Sequence, residues 1–309
     1  MICDSILDAI GSTPLVRLNR LAGPDCARIL VKFEALNVGG SVKTRTAYGM
    51  ITDAERRGVL RPGSVIVEPT SGNQGVGLAL VAAVRGYEAV IIMPDSVSPE
   101  RRRLVELYGA RVVLVHDDGN IGAAIDECLQ TALRMQKEDP RVWIPQQFIN
   151  PANPEIQRET TAREILRQAA GVRIDGFCSG IGTGGTLSGI GEALREANPD
   201  ITIWAVEPES AAILSGGSIG SHLQMGIGDG LIPGNLNTKI YDGIYVVTDA
   251  DAIAAAKALA RDEGLACGIT GGSNTVAALA LAKKLGPGKT VVTLLPDTAE
   301  RYYSTPLFE

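Results

Sequence analysis

The sequence predicts an α/β fold with two domains of mostly parallel sheet, on three observations. Apolar runs recur along the chain without strict polar alternation, as in strands covered on both faces. Helical segments separate these runs, and two of the strands end in glycine-rich turns that open helices. At 309 residues and 45% hydrophobic content the chain is long enough for two cores.

The strand runs, in chain order, cover residues 28–33, 65–67, 89–93, 111–115, 176–178, 201–206 and 290–295. Ser64 to Pro69 reads as a strand, Thr70 to Gly75 as a turn and Val76 to Arg85 as an alanine-rich helix. Ile174 to Cys178 repeats the pattern: a short strand, glycines through Gly185, then a helix from Leu187 to Glu196. A polar stretch from Lys137 to Pro154 holds four prolines and follows a helix ending near Met135, so the chain divides into domains 1–150 and 151–309.

Composition excludes several functions. A net charge of −6 with 21% charged residues leaves no basic footprint for nucleic acid. His116 and His222 are far apart and have no metal-ligand spacing. Cys3, Cys26, Cys128, Cys178 and Cys267 are scattered, odd in number and free of C-x-x-C spacing, against a disulfide framework. No signal peptide or membrane span is readable, so the expectation is a reducing cytoplasm.

Three glycine-rich runs carry the chemistry. Asn37-Val38-Gly39-Gly40-Ser41-Val42-Lys43 sets a lysine after a softened turn, where its amine could form a Schiff base. Thr70-Ser71-Gly72-Asn73-Gln74-Gly75 combines hydroxyls and amides with free N–H groups suited to a carboxylate. Gly182-Thr183-Gly184-Gly185-Thr186 ends a strand and opens a helix, the arrangement of a phosphate cup. Each has a plainer reading when taken alone. Lys43 can be a surface lysine by a turn, and Ser71 or Asn73 an ordinary helix N-cap. Gly180, Gly182 and Gly185 also fit the dinucleotide fingerprint, with Glu207 placed as a ribose-binding acid. A single phosphate accounts for more of the chain, because the dinucleotide reading leaves Lys43 and the second turn unexplained.

In this order and at these separations, the three runs resemble the cysteine synthase and cystathionine β-synthase group of pyridoxal-phosphate enzymes. Further matching motifs are Ile10-Gly11-Ser12-Thr13-Pro14-Leu15-Val16, Met93-Pro94 with Ser98 and Glu100, Gln147-Phe148 with Asn150-Pro151, Gly226-Ile227-Gly228, Gly268-Ile269-Thr270-Gly271-Gly272 and Leu295 to Tyr302. The resemblance implies two three-layer αβα domains of the tryptophan synthase β-like fold (fold type II), with about the first 40 residues partly packed on the second domain. It implies pyridoxal 5'-phosphate in the cleft, a stretch from about Pro94 to Leu133 that moves on substrate binding, and a homodimer. No motif here reads out a partner such as serine acetyltransferase.

The resemblance also implies roles. Lys43 would carry the cofactor and act as general base, Asn73 would bond the ring hydroxyl, and Gly182, Thr183, Gly184, Gly185 and Thr186 would hold the phosphate. Thr270 would face the pyridine nitrogen as a neutral group, making the cofactor a weaker electron sink that favours prompt β-elimination. Asp297 and Thr298 are further possible ring neighbours. Thr70, Ser71, Gly72, Gln74, Gln147 and Gly228 would line the substrate. The implied reaction is β-replacement through an aminoacrylate, in most relatives from O-acetylserine and sulfide to cysteine and acetate.

Three departures keep the substrate open. Thr44 follows the lysine where Asp is common, Gln74 stands where Thr is usual, and Asp229 occupies a place normally small. Asp229 could activate water, bind the amine of a larger nucleophile or repel sulfide, which suggests a cysteine-consuming, hydrogen-sulfide-producing enzyme yielding serine or lanthionine. As a plain turn residue beside glycines it would leave sulfhydrylase activity intact. The stretch from Ser215 to Gly234 lacks Lys and Arg, which disfavours a phosphoserine donor. The remaining alternative is a binding protein that keeps the fold without catalysis.

Overall fold

The computed structural model describes residues 2–96, 99–118 and 121–309. Ser98 lies outside them, as do three other positions of the stretch expected to move. From the N-terminus the chain forms β1 (Leu15–Arg17), β2 (Arg28–Phe33), α1 (Lys43–Arg56), β3 (Val65–Pro69), α2 (Asn73–Arg85), β4 (Glu88–Pro94), α3 (Pro99–Leu107), β5 (Arg111–Val115), α4 (Ile121–Glu138) and β6 (Val142–Trp143). There follow α5 (Ala152–Ile156), a π-helical stretch and α6 (Arg163–Gln168), then β7 (Gly176–Gly180), α7 (Gly185–Ala197), β8 (Thr202–Pro208), β9 (Gly243–Val247), α8 (Asp249–Ala258), α9 (Ile269–Leu285) and β10 (Thr290–Leu295).

These elements group into two compact units. Lys43–Ala152 forms the first, with the residues up to Ile10; Gly11–Val42 and Asn153–Glu309 form the second. The sequence division at 150/151 leaves Gly11–Val42 with the first half, whereas β1 and β2 belong to the sheet of the second unit.

The second unit is built on a six-stranded sheet in the order β1-β2-β10-β7-β8-β9, parallel at every pairing except β1 with β2. Alternation along its strands sends side chains to two cores. Ile29, Val31, Val291, Leu295 and Cys178 pack with Ala252, Ala256, Ala277 and Leu281 of α8 and α9. Leu30, Val292, Leu294 and Phe177 pack with Ile165, Leu187, Ile190 and Leu194 of α6 and α7. Helices on both faces explain why the strand runs read as continuous apolar segments.

The first unit has a parallel four-stranded sheet in the order β5-β4-β3-β6. Val65, Val67, Val90 and Ile92 pack on Cys128 and Ala132 of α4. Helices α1 and α2 lie against each other, and Gly77 sets their approach: a Cβ there would stand 2.9 Å from the Lys43 carbonyl oxygen. The strands absent from the sequence reading, β1, β6 and β9, are all sheet edges; β1 and β6 span only three and two residues, β9 is mostly half-exposed, and all three are fixed by their pairing.

Buried charge also organises the second unit. Lys32, on β2, is fully buried, and its ammonium donates to Glu164 Oε2 at 2.7 Å, the Thr13 carbonyl at 2.5 Å and Gln168 Oε1 at 3.0 Å. Glu34 accepts from Thr13 Oγ1 at 2.6 Å and Asn37 Nδ2 at 2.9 Å, tying the Ile10-to-Val16 motif to the run that leads to Lys43. Among the described residues no helix is long and apolar enough to cross a membrane. Glu164→Ala removes the anion bonded to a buried ammonium and is expected to destabilise the chain by about 3 kcal/mol, read as a lower urea midpoint.

Candidate active site

Lys43 opens α1 at the point where the chain passes from the second unit to the first. The residues before it are pinned within the second unit. Val42 N–H donates to the Pro296 carbonyl at 2.8 Å, Thr298 N–H donates to the Gly40 carbonyl at 3.2 Å, and Ser41 bridges Asp297. Arg301 adds a bond to the Gly39 carbonyl. Lys43 is half-buried and the three residues after it are buried, so its amine is carried on a fixed stem.

The second glycine run lies at the carboxyl end of β3. Helix α2 starts at Asn73 rather than Val76, its N-cap is Gly72, and no side chain caps it. The N-cap alternative for Ser71 and Asn73 is thereby replaced: Gly72 holds that place and has no side chain to offer. Thr70 Oγ1 accepts instead from Gly72 N–H, before the helix, at 3.3 Å. Asn73 and Gln74 fall in the first turn, and Gln74 is buried with neither amide atom hydrogen-bonded. An amide buried in this way lacks about 1–3 kcal/mol of compensation until a polar group meets it. Thr44, the other departure in this unit, is also buried with an unpartnered hydroxyl. Gln147 is buried at the corner after β6, where its N–H donates to Glu68.

The third run ends β7, and α7 starts at Gly185, two residues earlier than the sequence suggests. Its N-cap Gly184 has φ 78° and carries no side-chain cap, so the helix start is open. The loop is a tight cradle. A Cβ on Gly182 would collide with the Gly226 carbonyl, and one on Gly184 would stand 2.8 Å from the Leu236 nitrogen. Asn153 Nδ2 donates to Thr183 Oγ1 at 2.9 Å and the same amide fills the space beside Gly185. A glycine-walled loop at a helix start without a side-chain cap fits a phosphate. Glu207 does not serve as a ribose acid: its oxygens accept from Leu214 N–H, Ser215 N–H and Ser215 Oγ at 2.5–3.0 Å, which pins the segment after β8.

Gly268 N-caps α9, again without a side-chain cap. Thr270 is buried and its hydroxyl donates to the Met225 carbonyl at 2.8 Å, leaving the oxygen as an acceptor. Asp297 crowds Gly268 and accepts from Tyr302 Oη at 2.6 Å. Beside it burial pushes the Cys267 thiol up, as it pushes Cys178 up to about 12, so both are inert packing residues. Asp229 is exposed, with one oxygen 3.4 Å from where a Gly182 Cβ would stand. His222 Nε2 donates to the Gly228 carbonyl at 3.2 Å and steadies that loop. Thus Gly182–Thr186, Asp229, Gly228 and Thr270 belong to the second unit, while Lys43, Thr70–Gln74 and Gln147 belong to the first.

Sequence reasoning missed Glu68 and Asn153. Glu68 had a signal, an acid in an otherwise apolar strand, whereas Asn153 had none. Among the described residues no cluster of His, Cys, Asp or Glu is placed to hold a metal.

Comparison with known proteins agrees with this chemistry. The family described as "Pyridoxal-phosphate dependent enzyme" matches residues 6–297. A cysteine synthase of Staphylococcus aureus (strain N315) is 48% identical over 305 residues, covering 99% of this chain and 97% of that protein. Among solved structures, an O-ureido-L-serine synthase superposes with TM-score 0.93 at 42% identity, covering 100% of this chain and 96% of that one. A hydrogen sulfide-producing enzyme from Fusobacterium nucleatum superposes with TM-score 0.91 at 39% identity, covering 97% and 100%. Gly182→Ala is expected to cost about 1–3 kcal/mol of cofactor binding by overpacking, roughly five- to a hundredfold, read as visible absorbance retained per chain after dialysis.

Proposed function

Because this chain belongs to the pyridoxal-phosphate-dependent enzyme family that includes the cysteine synthases, we propose that it joins O-acetylserine and sulfide to give cysteine and acetate. It is a pyridoxal-phosphate enzyme of the β-replacing kind. The observation that carries the assignment of residues is the set of open helix starts at Gly72, Gly184 and Gly268, none with a side-chain cap. A glycine at each cap keeps a side-chain oxygen off the helix start, which supports ligand binding there.

When bound, the cofactor draws electrons from the α-carbon of the amino acid, which loosens both the α-hydrogen and the β-substituent. Lys43 would hold the cofactor through Nζ, and the same amine would take the α-proton of the substrate. The N–H groups of Gly182 to Thr186 and the α7 dipole hold the phosphate, with Asn153 orienting Thr183. Asn73 bonds the ring hydroxyl. Thr270 would meet the ring nitrogen as a neutral donor by turning its hydroxyl from the Met225 carbonyl, to which it is bonded here. Thr70, Ser71, Gly72, Gln74 and Gln147 would bind the substrate carboxylate, where the unpartnered Gln74 Nε2 would gain an acceptor. The protein would work as a homodimer in the cytoplasm.

A second reading, cysteine consumed with release of hydrogen sulfide, is favoured by one observation: the Asp229 carboxylate stands beside Gly182, next to the phosphate loop. There it is positioned to take a proton from water or to receive the amine of a second amino acid. Similarity to a hydrogen sulfide-producing enzyme supports it too.

Lys43→Ala is expected to lower turnover about a thousandfold while the phosphate cup still retains cofactor, measured by steady-state rates and cofactor content. A paired product assay separates the two readings: O-acetylserine plus sulfide followed for cysteine, beside L-cysteine alone followed for sulfide, serine and lanthionine. Fast cysteine formation with little reaction of cysteine itself is the expected result. If cysteine alone gives serine instead, Asp229→Asn should cut serine output about a hundredfold, and an unchanged output would exclude Asp229 as the base.

A further inference from the structure

Glu68 is the fourth residue of β3 and only 1% exposed. Its register partner on β4 is Ile91, and the strand residues around it are buried and apolar. Both oxygens are used on one corner of the chain: Oε2 accepts from Gln146 N–H at 3.0 Å and Oε1 from Gln147 N–H at 3.1 Å. The corner itself is unusual. Gln146 sits at φ 56°, a left-handed conformation rare for a side-chain-bearing residue. Its carbonyl accepts from Ile149 and Asn150 N–H, both at 3.0 Å, and the Asn150 amide donates to Pro145.

We propose that Glu68 is a positioning residue for the substrate carboxylate: by accepting two consecutive N–H groups it holds the strained Gln146-Gln147 corner in the form that presents Gln147. This rests on the reading of Gln147 as a carboxylate ligand. The chemistry of the pair explains why an acid stands here. Two adjacent donors require two acceptor oxygens; a carboxylate has them, and an amide of the same shape has one. Once protonated, the carboxyl keeps one good acceptor and its grip on the corner weakens.

Burial raises the Glu68 pKa to about 7, against the opposing pull of the two N–H groups, and no neighbouring charge is among the influences on it. Strands β4 and β6 and helices α2 and α4 pack on β3. The charged pair at the far ends of β4 and β5, Asp95 and His116, is bonded to itself at 2.8 Å. The native pKa lies above the ordinary value, so the native state favours the neutral form. Its stabilising share is complete below pH 4.5 and lost as pH rises through about 7. The ionised acid thus costs folding stability in the same range where it grips the corner best, as expected of a group kept for binding.

The test is titration of the holoenzyme with L-alanine, which has no β-leaving group, followed by the cofactor absorbance at pH 6, 7 and 8. It compares wild type, Glu68→Gln, Gln147→Ala and the double variant. The expected ratio of the Glu68→Gln dissociation constant to that of wild type is about tenfold at pH 8, falling to about one at pH 6; titration of the alanine amine cancels in the ratio. Glu68→Gln should add little to Gln147→Ala. A Gln147→Ala that weakens binding while Glu68→Gln keeps wild-type affinity at every pH would overturn the positioning role alone. A Gln147→Ala with unchanged affinity would overturn the ligand reading and the proposal with it. Independently of any variant, amide exchange at residues 146 and 147 of wild type, corrected for intrinsic rates, should speed up below pH 7; flat protection would also overturn the proposal.

Discussion

Buried backbone N–H groups must be met by an acceptor, and the N-cap residues of α2, α7 and α9 are glycines that offer no side-chain oxygen. Thr248, by contrast, caps α8 with its hydroxyl. The glycine caps leave the ends of the helix dipoles open to small anionic groups. Glycine is required because the walls stand so close: the Gly226 carbonyl, Leu236 and Asn153 fill the space a side chain would take.

A rigid surround keeps these open ends in place. In the second unit, the Lys32–Glu164 pair, Glu34 and the bonds from Val42 to Pro296 and from Thr298 to Gly40 fix the segment that leads into Lys43. A buried ion pair of this kind adds little net stability, but breaking it is costly, so it serves to enforce one arrangement. Glu207 works similarly after β8, spending a carboxylate on a backbone turn.

Acids in this chain take two physical forms. Glu68, Glu207 and Glu34 are buried and bonded to backbone or neutral side chains, where they shape the protein. Asp229 is exposed, on a loop of glycines beside Gly182. The difference lies in solvation: a buried carboxylate must satisfy its lone pairs within the protein, while an exposed one can exchange protons with a ligand or water.

The sequence by itself determined the α/β class, the central strands and the three glycine motifs. Those features are written in local signals: apolar periodicity, and glycine where φ or close approach demands it. Lys43, Gly182 to Thr186 and Gln147 were legible through the spacing of whole motifs. Tertiary structure alone decided the rest. Edge strands β1, β6 and β9 are defined by pairing; that about the first 40 residues pack partly on the second domain was implied by family resemblance, and the bounds Gly11–Val42 follow from β2 pairing with β10, more than 250 residues away in sequence. The starts of α2 and α7, the Thr270 bond to Met225, the use of Glu207 on its own loop and the grip of Glu68 on Gln147 depend on which groups meet across the fold. A linear pattern records a residue's chemistry and its face, but a hydrogen-bond partner distant in the chain, and the burial that shifts a proton, exist only once the layers have packed.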